Sequence, residues 1–438
     1  MKTHRFYPFC IQWGERCDFM DSLIVNSGRP LKGETAVQGS KNSSLPILAA
    51  TVLVGGVCQI HNCPDLTDTA AAISILRHLG CKVKTGNNTV TVDSSSVSCY
   101  NIPDSLMREM RSSIVFLGSI LGRTGKAELS APGGCEIGLR PIDLHLSSLR
   151  IMGYRIDEDY GYIRCEKAKE NRSSVISLSF PSVGATENII LAAALSKGRT
   201  VIHNAAREPE IYDLVAFLNE CGCKISFRMQ GTVIIEGVSK LHGCRYTVMA
   251  DRIVALTYMA GAAVTGGDIT LHGINTNHFR TVIPVFESAG CLVEDRKNLL
   301  RIRAEKGLRA VRDIRTMPYP GFPTDAQAPV MAMLTVAEGT SVIIENIFES
   351  RFKHVSDLIR MGARIKIEGK IALIDVVKEL YGTSVTASDL RGGAALVVAG
   401  LTAKGSTLVG NVSHIDRGYE KIEESLTALG ADIKRIKA

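Results

Sequence analysis

The feature that most constrains the fold of this 438-residue chain is a six-fold internal repeat. A helix-like stretch that stops at a glycine and turns into a short apolar alternation occurs at Leu76-Arg-His-Leu-Gly80-Cys-Lys-Val, Leu149-Arg-Ile-Met-Gly153-Tyr-Arg-Ile, Leu218-Asn-Glu-Cys-Gly222-Cys-Lys-Ile, Phe286-Glu-Ser-Ala-Gly290-Cys-Leu-Val, Leu358-Ile-Arg-Met-Gly362-Ala-Arg-Ile and Leu426-Thr-Ala-Leu-Gly430-Ala-Asp-Ile. The glycines are spaced by 73, 69, 68, 72 and 68 residues. A glycine just past a helix end releases the chain into the left-handed region, and a period of two then reads as a strand. Each copy holds a second helix that also runs into a glycine and a strand, as in Ala192 to Gly198-Arg-Thr-Val and Leu334 to Gly339-Thr-Ser-Val. Solenoid repeats span roughly 20 to 50 residues. Units of about 70 residues therefore predict closed α/β domains built of α+β repeats, two domains of three units each.

One helix of each unit is apolar on every side, as in Ile189-Ile-Leu-Ala-Ala-Ala-Leu195, which predicts burial. Yet each begins with polar residues: Ser40-Lys41-Asn42, Arg111-Ser112-Ser113, Ser182 to Thr186, Asp251-Arg252, Thr324-Asp325 and Ser388-Asp389-Leu390-Arg391. Capping accounts for Ser40, Thr324 and Ser388, and Thr324 with Gln327 reads as a capping box that puts Asp325 in the first turn. Capping does not require Lys41, Arg111, Arg252 or Arg391. The loops before the second helices add Arg140, Arg207 with Glu208, Arg280, Arg351 and Arg417. Pseudo-symmetric packing gathers these helix N-termini, where free N–H groups and the helix dipole favour anions. Arginines recurring there predict an anionic, phosphorylated ligand held between two domains.

Residues 131 to 143 concentrate the chemistry. Pro132, Gly133 and Gly134 form a turn whose bare backbone can approach a ligand, with Cys135 at its tip and Arg140 and Asp143 following. A thiol beside a fixed cation has a stabilised thiolate and can act as nucleophile or proton donor.

Composition narrows the class. A 45% hydrophobic content supplies large cores, and a net charge of +7 is scattered rather than clustered, which argues against nucleic-acid binding. Twelve cysteines include no CxxC. Cys221-x-Cys223 and the pair Cys58 and Cys63 lack zinc-site partners at usable spacing, so reduced thiols, no metal and a cytoplasmic location are expected. No apolar run reaches the roughly 18 residues of a membrane span. Residues 1–19 hold the only tryptophan, Trp13, and read as an extension apart from the fold, with Met20 an alternative start.

Seven motifs carry a specific resemblance: Gly39-Ser-Lys41-Asn42-Ser-Ser-Leu-Pro46, Pro132-Gly-Gly-Cys135-x-Ile-Gly-x-Arg140-Pro141, Phe180-Pro-Ser-Val-Gly-Ala-Thr186, Asn204-Ala-Ala-Arg-Glu-Pro-Glu210, Pro318-Tyr-Pro-Gly-Phe-Pro-Thr-Asp325, Ser388-Asp-Leu-Arg391 and His414-Ile-Asp-Arg417-Gly-Tyr-Glu420. In this order, from about residue 20 to the end, the chain resembles the UDP-N-acetylglucosamine 1-carboxyvinyltransferases. The resemblance implies two inside-out α/β domains, each of three βαβαββ units around buried parallel helices. It implies spans of 20–40 plus 250–438 for one domain and 41–249 for the other, with Lys41 near a crossover. The implied reaction moves the enolpyruvyl group of phosphoenolpyruvate to the 3′-hydroxyl of UDP-N-acetylglucosamine by addition and elimination, the committed step of peptidoglycan precursor synthesis.

By the same resemblance, Cys135 is the proton donor and Asp325 the base on the sugar hydroxyl. Lys41 and Arg140 meet the phosphate, with Asn42 alongside. Arg351, Arg391 and Arg417 clamp the carboxylate near Asp389. Arg111, the segment Arg140, Pro141, Ile142, Asp143 and Leu144, the segment Phe180, Pro181, Ser182, Val183 and Gly184, and Ile347 form the nucleotide-sugar site. No cofactor or metal is implied, and the partners expected are the two small-molecule substrates, with no nucleic acid, no membrane and at most weak self-association. Ser43 and Ser44 replace the usual small apolar pair, and Gly392-Gly393 is a more flexible pair than usual; neither removes a functional group. Cys135 in place of the Asp of some members predicts alkylation by fosfomycin-type epoxides. Two alternatives remain: a shikimate-pathway enolpyruvyl transferase, and a non-catalytic nucleotide-sugar-binding paralogue.

Overall fold

The computed structural model describes residues 21–130, 142–168, 173–305 and 307–437, apart from the side chains of Arg111 and Gln230. The extension 1–19, Cys135, Arg140, Pro141 and the Arg111 side chain, all singled out above, lie outside the described residues.

Each repeat glycine follows a short helix and takes a positive φ, between 90° and 98° at Gly80, Gly153, Gly222, Gly290, Gly362 and Gly430. A side chain with a Cβ is disfavoured there, so the sequence period and the backbone period coincide. The strands assemble into six four-stranded sheets with one shared pattern. In the third unit Ser173–Ser177 runs parallel to Arg199–His203, which pairs antiparallel with Thr232–Glu236, itself antiparallel to Lys224–Arg228.

Inside the sheets lie six helices whose flanks are apolar all round. Lys41–Val54, Phe116–Thr124 and Val183–Ala193 pack on one another, as do Arg252–Thr265, Thr324–Leu334 and Leu390–Gly400. Every residue of the Lys41 helix except Asn42 is buried. A helix without a polar face has no place at the surface, so the sheets take the outside, with alternating strands such as Thr89–Asp93 covering the helices. These are two inside-out α/β domains of three units each.

The chain passes between them twice. Strand Lys32–Ala36 pairs parallel with Asp268–His272, yet the chain runs on into the Lys41 helix. Conversely, Arg245–Thr247 pairs parallel with Val57–His61 and leads into the Arg252 helix. Where the two passages meet, Ser40 N donates to Met249 O at 2.8 Å and Asp251 N to Gln38 O at 2.9 Å. The first strand, Ser22–Asn26, sits between Ser406–Gly410 and Asp432–Ile436 and completes the last unit. One hydrophobic core joins Leu23, Leu31 and Val37 to residues from Val254 to Ile433; the other runs from Leu45 to Val248.

Three local expectations are corrected. Pro323, not Thr324, precedes the Thr324 helix as its cap position, and no side chain caps it. The Thr324 hydroxyl instead donates to Glu345 Oε2 at 2.9 Å, because a buried carboxylate accepts more strongly than a neutral partner. Ser388 does not cap either: Asp389 accepts from Arg391 N and Gly392 N, both at 3.0 Å. The helix expected to open at Arg111 begins as a 3-10 turn, Arg111–Val115, before turning α at Phe116.

Candidate active site

Lys41 is the first residue of its helix, placed there by the Ser40 cap, whose Oγ accepts from Ser43 N at 3.3 Å. Its backbone N donates to Asp251 Oδ2 at 3.2 Å, so the beginnings of the Lys41 and Arg252 helices abut across the domain boundary. The Lys41 ammonium is buried and lies 2.6 Å from Asp68 Oδ2. Burial pulls its pKa below the usual lysine value even though Asp68 opposes this, and the nearby Arg417 and Arg391 pull the same way as burial.

Asp68, in the first turn of Thr67–His78, is 1% exposed. It also accepts from Arg417 of the other domain, Nε to Oδ1 at 2.9 Å and Nη2 to Oδ2 at 3.2 Å. Burial favours the neutral acid, but Lys41 and Arg417 outweigh it and hold the Asp68 carboxyl below its usual range.

Opposite stands Asp325, in the first turn of the Thr324 helix. Its Oδ1 accepts from Arg351 Nη2 at 2.7 Å, and its Oδ2 from Arg391 Nε and Nη2 at 3.2 and 3.1 Å. Arg391 is 2% exposed, with its guanidinium 5.4 Å from the Tyr419 ring centroid. Arg351 is also buried, and its Nε makes no hydrogen bond among the described residues. Beneath them Glu345 accepts from Thr316 Oγ1, Ile347 N and Phe348 N as well as Thr324, which ties the Ile347 loop to the start of the Asp325 helix. Buried His354 is pushed down to about 4 by desolvation, so it stands neutral beside Arg351.

Along the cleft, Ser182 caps the Val183 helix by accepting from Ala185 N at 3.3 Å, and Phe180 is exposed. Gly184 lets the backbone meet His145, whose Cε1 lies 2.9 Å from where a Cβ would sit. Ile142, Asp143 and Leu144 open the helix Asp143–Ile151 that carries His145. A cleft of about 300 Å³ lies between Pro181, Asn204 and Arg207 on one domain and Met317, Pro318 and Tyr319 on the other. Beside it, Arg252 lies 5.7 Å from the Tyr319 ring centroid and reaches Glu210 at 3.0 Å, and Tyr319 N donates to Glu208 Oε1 at 3.2 Å.

The structure thus gathers Lys41, Arg417, Arg391, Arg351 and Asp325 at the interdomain mouth, with Asn42, Asp389 and Ile347 on the same elements. Asp389 serves as a helix cap, while Arg207 and Arg280 are exposed. Sequence reasoning missed Asp68 and Glu345, and gave Asp251 and Glu210 no role although both stand in its motifs. A signal existed for two of them: the outer helices of the first three units carry an acid in the first turn, Asp68, Asp143 and Glu210. That recurrence parallels the arginines in the loops before these helices. A further correction concerns cysteine: Cys58 and Cys221 do have a partner, Cys244, the three Sγ atoms lying within 4.8 Å of one another. Local spacing could not reveal it, because the three lie in segments far apart in sequence: a strand, a helix end and the stretch before Arg245–Thr247.

Two inside-out domains with buried cations facing a carboxylate across their boundary define the enolpyruvyl transferase class. The family described as EPSP synthase (3-phosphoshikimate 1-carboxyvinyltransferase) matches residues 25–426. The enolpyruvyl transferase NikO from Streptomyces tendae superposes with a TM-score of 0.86 at 25% identity, over 96% of this chain and 100% of its own. EPSP synthase from Acinetobacter baumannii shares the fold at 18% identity and a TM-score of 0.76, over 95% and 100%. UDP-N-acetylglucosamine 1-carboxyvinyltransferase 2 of Caldanaerobacter subterraneus subsp. tengcongensis is 51% identical over 95% of this chain and 100% of its own length. The like-named protein of Trichlorobacter lovleyi is 45% identical over 95% and 99%. The chain belongs to the UDP-N-acetylglucosamine 1-carboxyvinyltransferase family.

Proposed function

We propose that the protein transfers the enolpyruvyl group of phosphoenolpyruvate to the 3′-hydroxyl of UDP-N-acetylglucosamine, releasing phosphate, in peptidoglycan precursor synthesis. The observation that carries the reading is the concentration of Lys41, Arg417 and Arg391, close enough that the two arginines lower the lysine pKa. Such a field suits a small trianion bearing phosphate and carboxylate.

In this reading the methylene carbon of phosphoenolpyruvate gains a proton from Cys135, and C2 becomes cationic in character. The sugar 3′-oxygen bonds to C2 while Asp325 takes the hydroxyl proton. The same methylene carbon then returns a proton to the Cys135 thiolate left by the first step, the C2–O bond to phosphate breaks with phosphate leaving, and the alkene is restored. Lys41 and Arg140 hold the phosphate, and Arg351, Arg391 and Arg417 hold the carboxylate. Arg351 and Arg391 hold Asp325 by both carboxylate oxygens and so fix its orientation, and geometry is the first requirement of a general base. The 41–249 span forms one domain and 20–40 with 250–438 the other, a division supported by the two hydrophobic cores. No helix among the described residues is long and apolar enough to cross a membrane, and the pathway places the work in the cytoplasm.

Phosphate release from phosphoenolpyruvate tests this, with UDP-N-acetylglucosamine or shikimate 3-phosphate as acceptor, on wild type and Cys135→Ala. Turnover with the nucleotide sugar alone, lost or strongly impaired in the variant, is expected. Turnover surviving in Cys135→Ala removes that residue from proton donation. Turnover with shikimate 3-phosphate alone, or nucleotide-sugar binding without turnover, replaces the reading with one of its two alternatives.

A further inference from the structure

We propose that Cys58, Cys221 and Cys244 form a thiolate site for a zinc-class divalent cation, at the opposite end of the Lys41 helix from the active site. That helix has 14 residues, so its ends stand about 20 Å apart at 1.5 Å per residue. Cys58 comes four residues after the helix's last residue, Val54, in strand Val57–His61.

The three thiols come from three separate segments whose backbones are already fixed. Cys58 is fully buried within a strand paired on both sides. Cys221 is fully buried at the end of the helix Pro209–Glu220, its N–H donating to Phe217 O at 3.0 Å. Cys244 is partly exposed beside Arg245–Thr247, and its carbonyl accepts from Gln59 N at 2.9 Å. All three Sγ atoms lie within 4.8 Å of one another, and those of Cys221 and Cys244 are 3.4 Å apart. Thiolates bound tetrahedrally to zinc at about 2.3 Å have their sulfurs about 3.8 Å apart. The observed triangle therefore needs only small side-chain adjustment. The open side of Cys244 admits the ion and a fourth ligand. His242 lies two residues away, its Nε2 3.1 Å from where a Cβ on Gly222 would sit, next to Cys221.

Ion entry displaces the thiol protons to solvent, since the thiolate is the ligand. A bound ion would staple the first unit to the third within this domain, in the same place where the chain returns toward the Arg252 helix.

The test uses full-length protein carrying Cys135→Ser to remove the loop thiol, reduced, freed of metal by a chelator and titrated with Co²⁺. One equivalent per chain is expected, with near-ultraviolet sulfur-to-cobalt charge transfer and intense visible bands of a tetrahedral ion, displaced by Zn²⁺ and accompanied by a higher Tm. Adding Cys244→Ser, at a partly exposed position, should weaken binding at least tenfold and cancel the Tm gain; Cys99→Ser should change neither. Absence of the charge-transfer band, or its persistence in Cys244→Ser, overturns the proposal. So does recovery of a Cys221–Cys244 disulfide from protein that binds no cobalt after reduction.

Discussion

Arg417 reaches across the domain boundary to Asp68, 349 residues away in sequence, and the two meet through a pair of hydrogen bonds of 2.9 and 3.2 Å. The same carboxylate holds the Lys41 ammonium. Asp68 therefore spaces two cations that would otherwise repel, and it aims both at one mouth. Replacing it by asparagine leaves those cations uncompensated, a change that costs about 3–5 kcal/mol for buried pairs. Asp68→Asn is expected to lower kcat/KM for phosphoenolpyruvate at least 100-fold and to reduce Tm. Steady-state kinetics beside a thermal melt check this, and wild-type kinetics would remove Asp68 from the site.

Asp325 is held at both oxygens by arginines, so an isosteric amide keeps most of the packing but cannot take a proton. Asp325→Asn should lower kcat by about 100- to 10,000-fold, the usual worth of a general base, with nucleotide-sugar affinity by calorimetry changed far less. A kcat within a few-fold of wild type would assign the proton to another acceptor.

Glu187, in the Val183 helix, is pushed up to about 8, first by burial and then by Glu210 and Glu208. Its folded pKa lies above its unfolded value, so the native state binds the extra proton. Stability from this group is complete below about pH 4.5 and is lost as pH rises to about 8. Glu187→Gln should flatten that loss and melt higher than wild type near pH 8.5. Melting curves from pH 5 to 9 decide it, and parallel curves for both proteins would contradict the burial argument.

Gly39 lies where the two interdomain passages cross, and a Cβ there would sit 1.7 Å from Asn62 O. The backbone must shift, two residues before Lys41. Gly39→Ala should destabilise by about 1–3 kcal/mol, the range for overpacking, and impair turnover. Gly86→Ala, with nothing within 4 Å of its added Cβ, is the control. Equal urea midpoints for the two variants would refute the crowding.

Much of the architecture was legible because it is written in local backbone preference. Gly80 and its five counterparts mark helix ends that need a positive φ, and the all-apolar helices can only be interior, so six units with buried helices follow, while the inside-out domains were implied by the family resemblance. The candidate cations were legible for the same reason: Lys41, Arg351, Arg391 and Arg417 recur beside helix starts, where an ordinary cap needs no charge. The Thr324 capping box failed because helix-start propensity says nothing about Glu345, a buried acceptor from a neighbouring segment.

The chain by itself determined where helices stop, which of them are buried and which positions carry fixed charge, since all of these depend on residues within a few turns of one another. Only the tertiary structure decided who partners whom. Asp68 between Lys41 and Arg417, Arg351 and Arg391 on Asp325, and Cys58 with Cys221 and Cys244 are long-range meetings set by strand pairing and domain crossover. Such contacts leave no periodicity in sequence, because their energy is realised only once the packed backbone brings the side chains within reach.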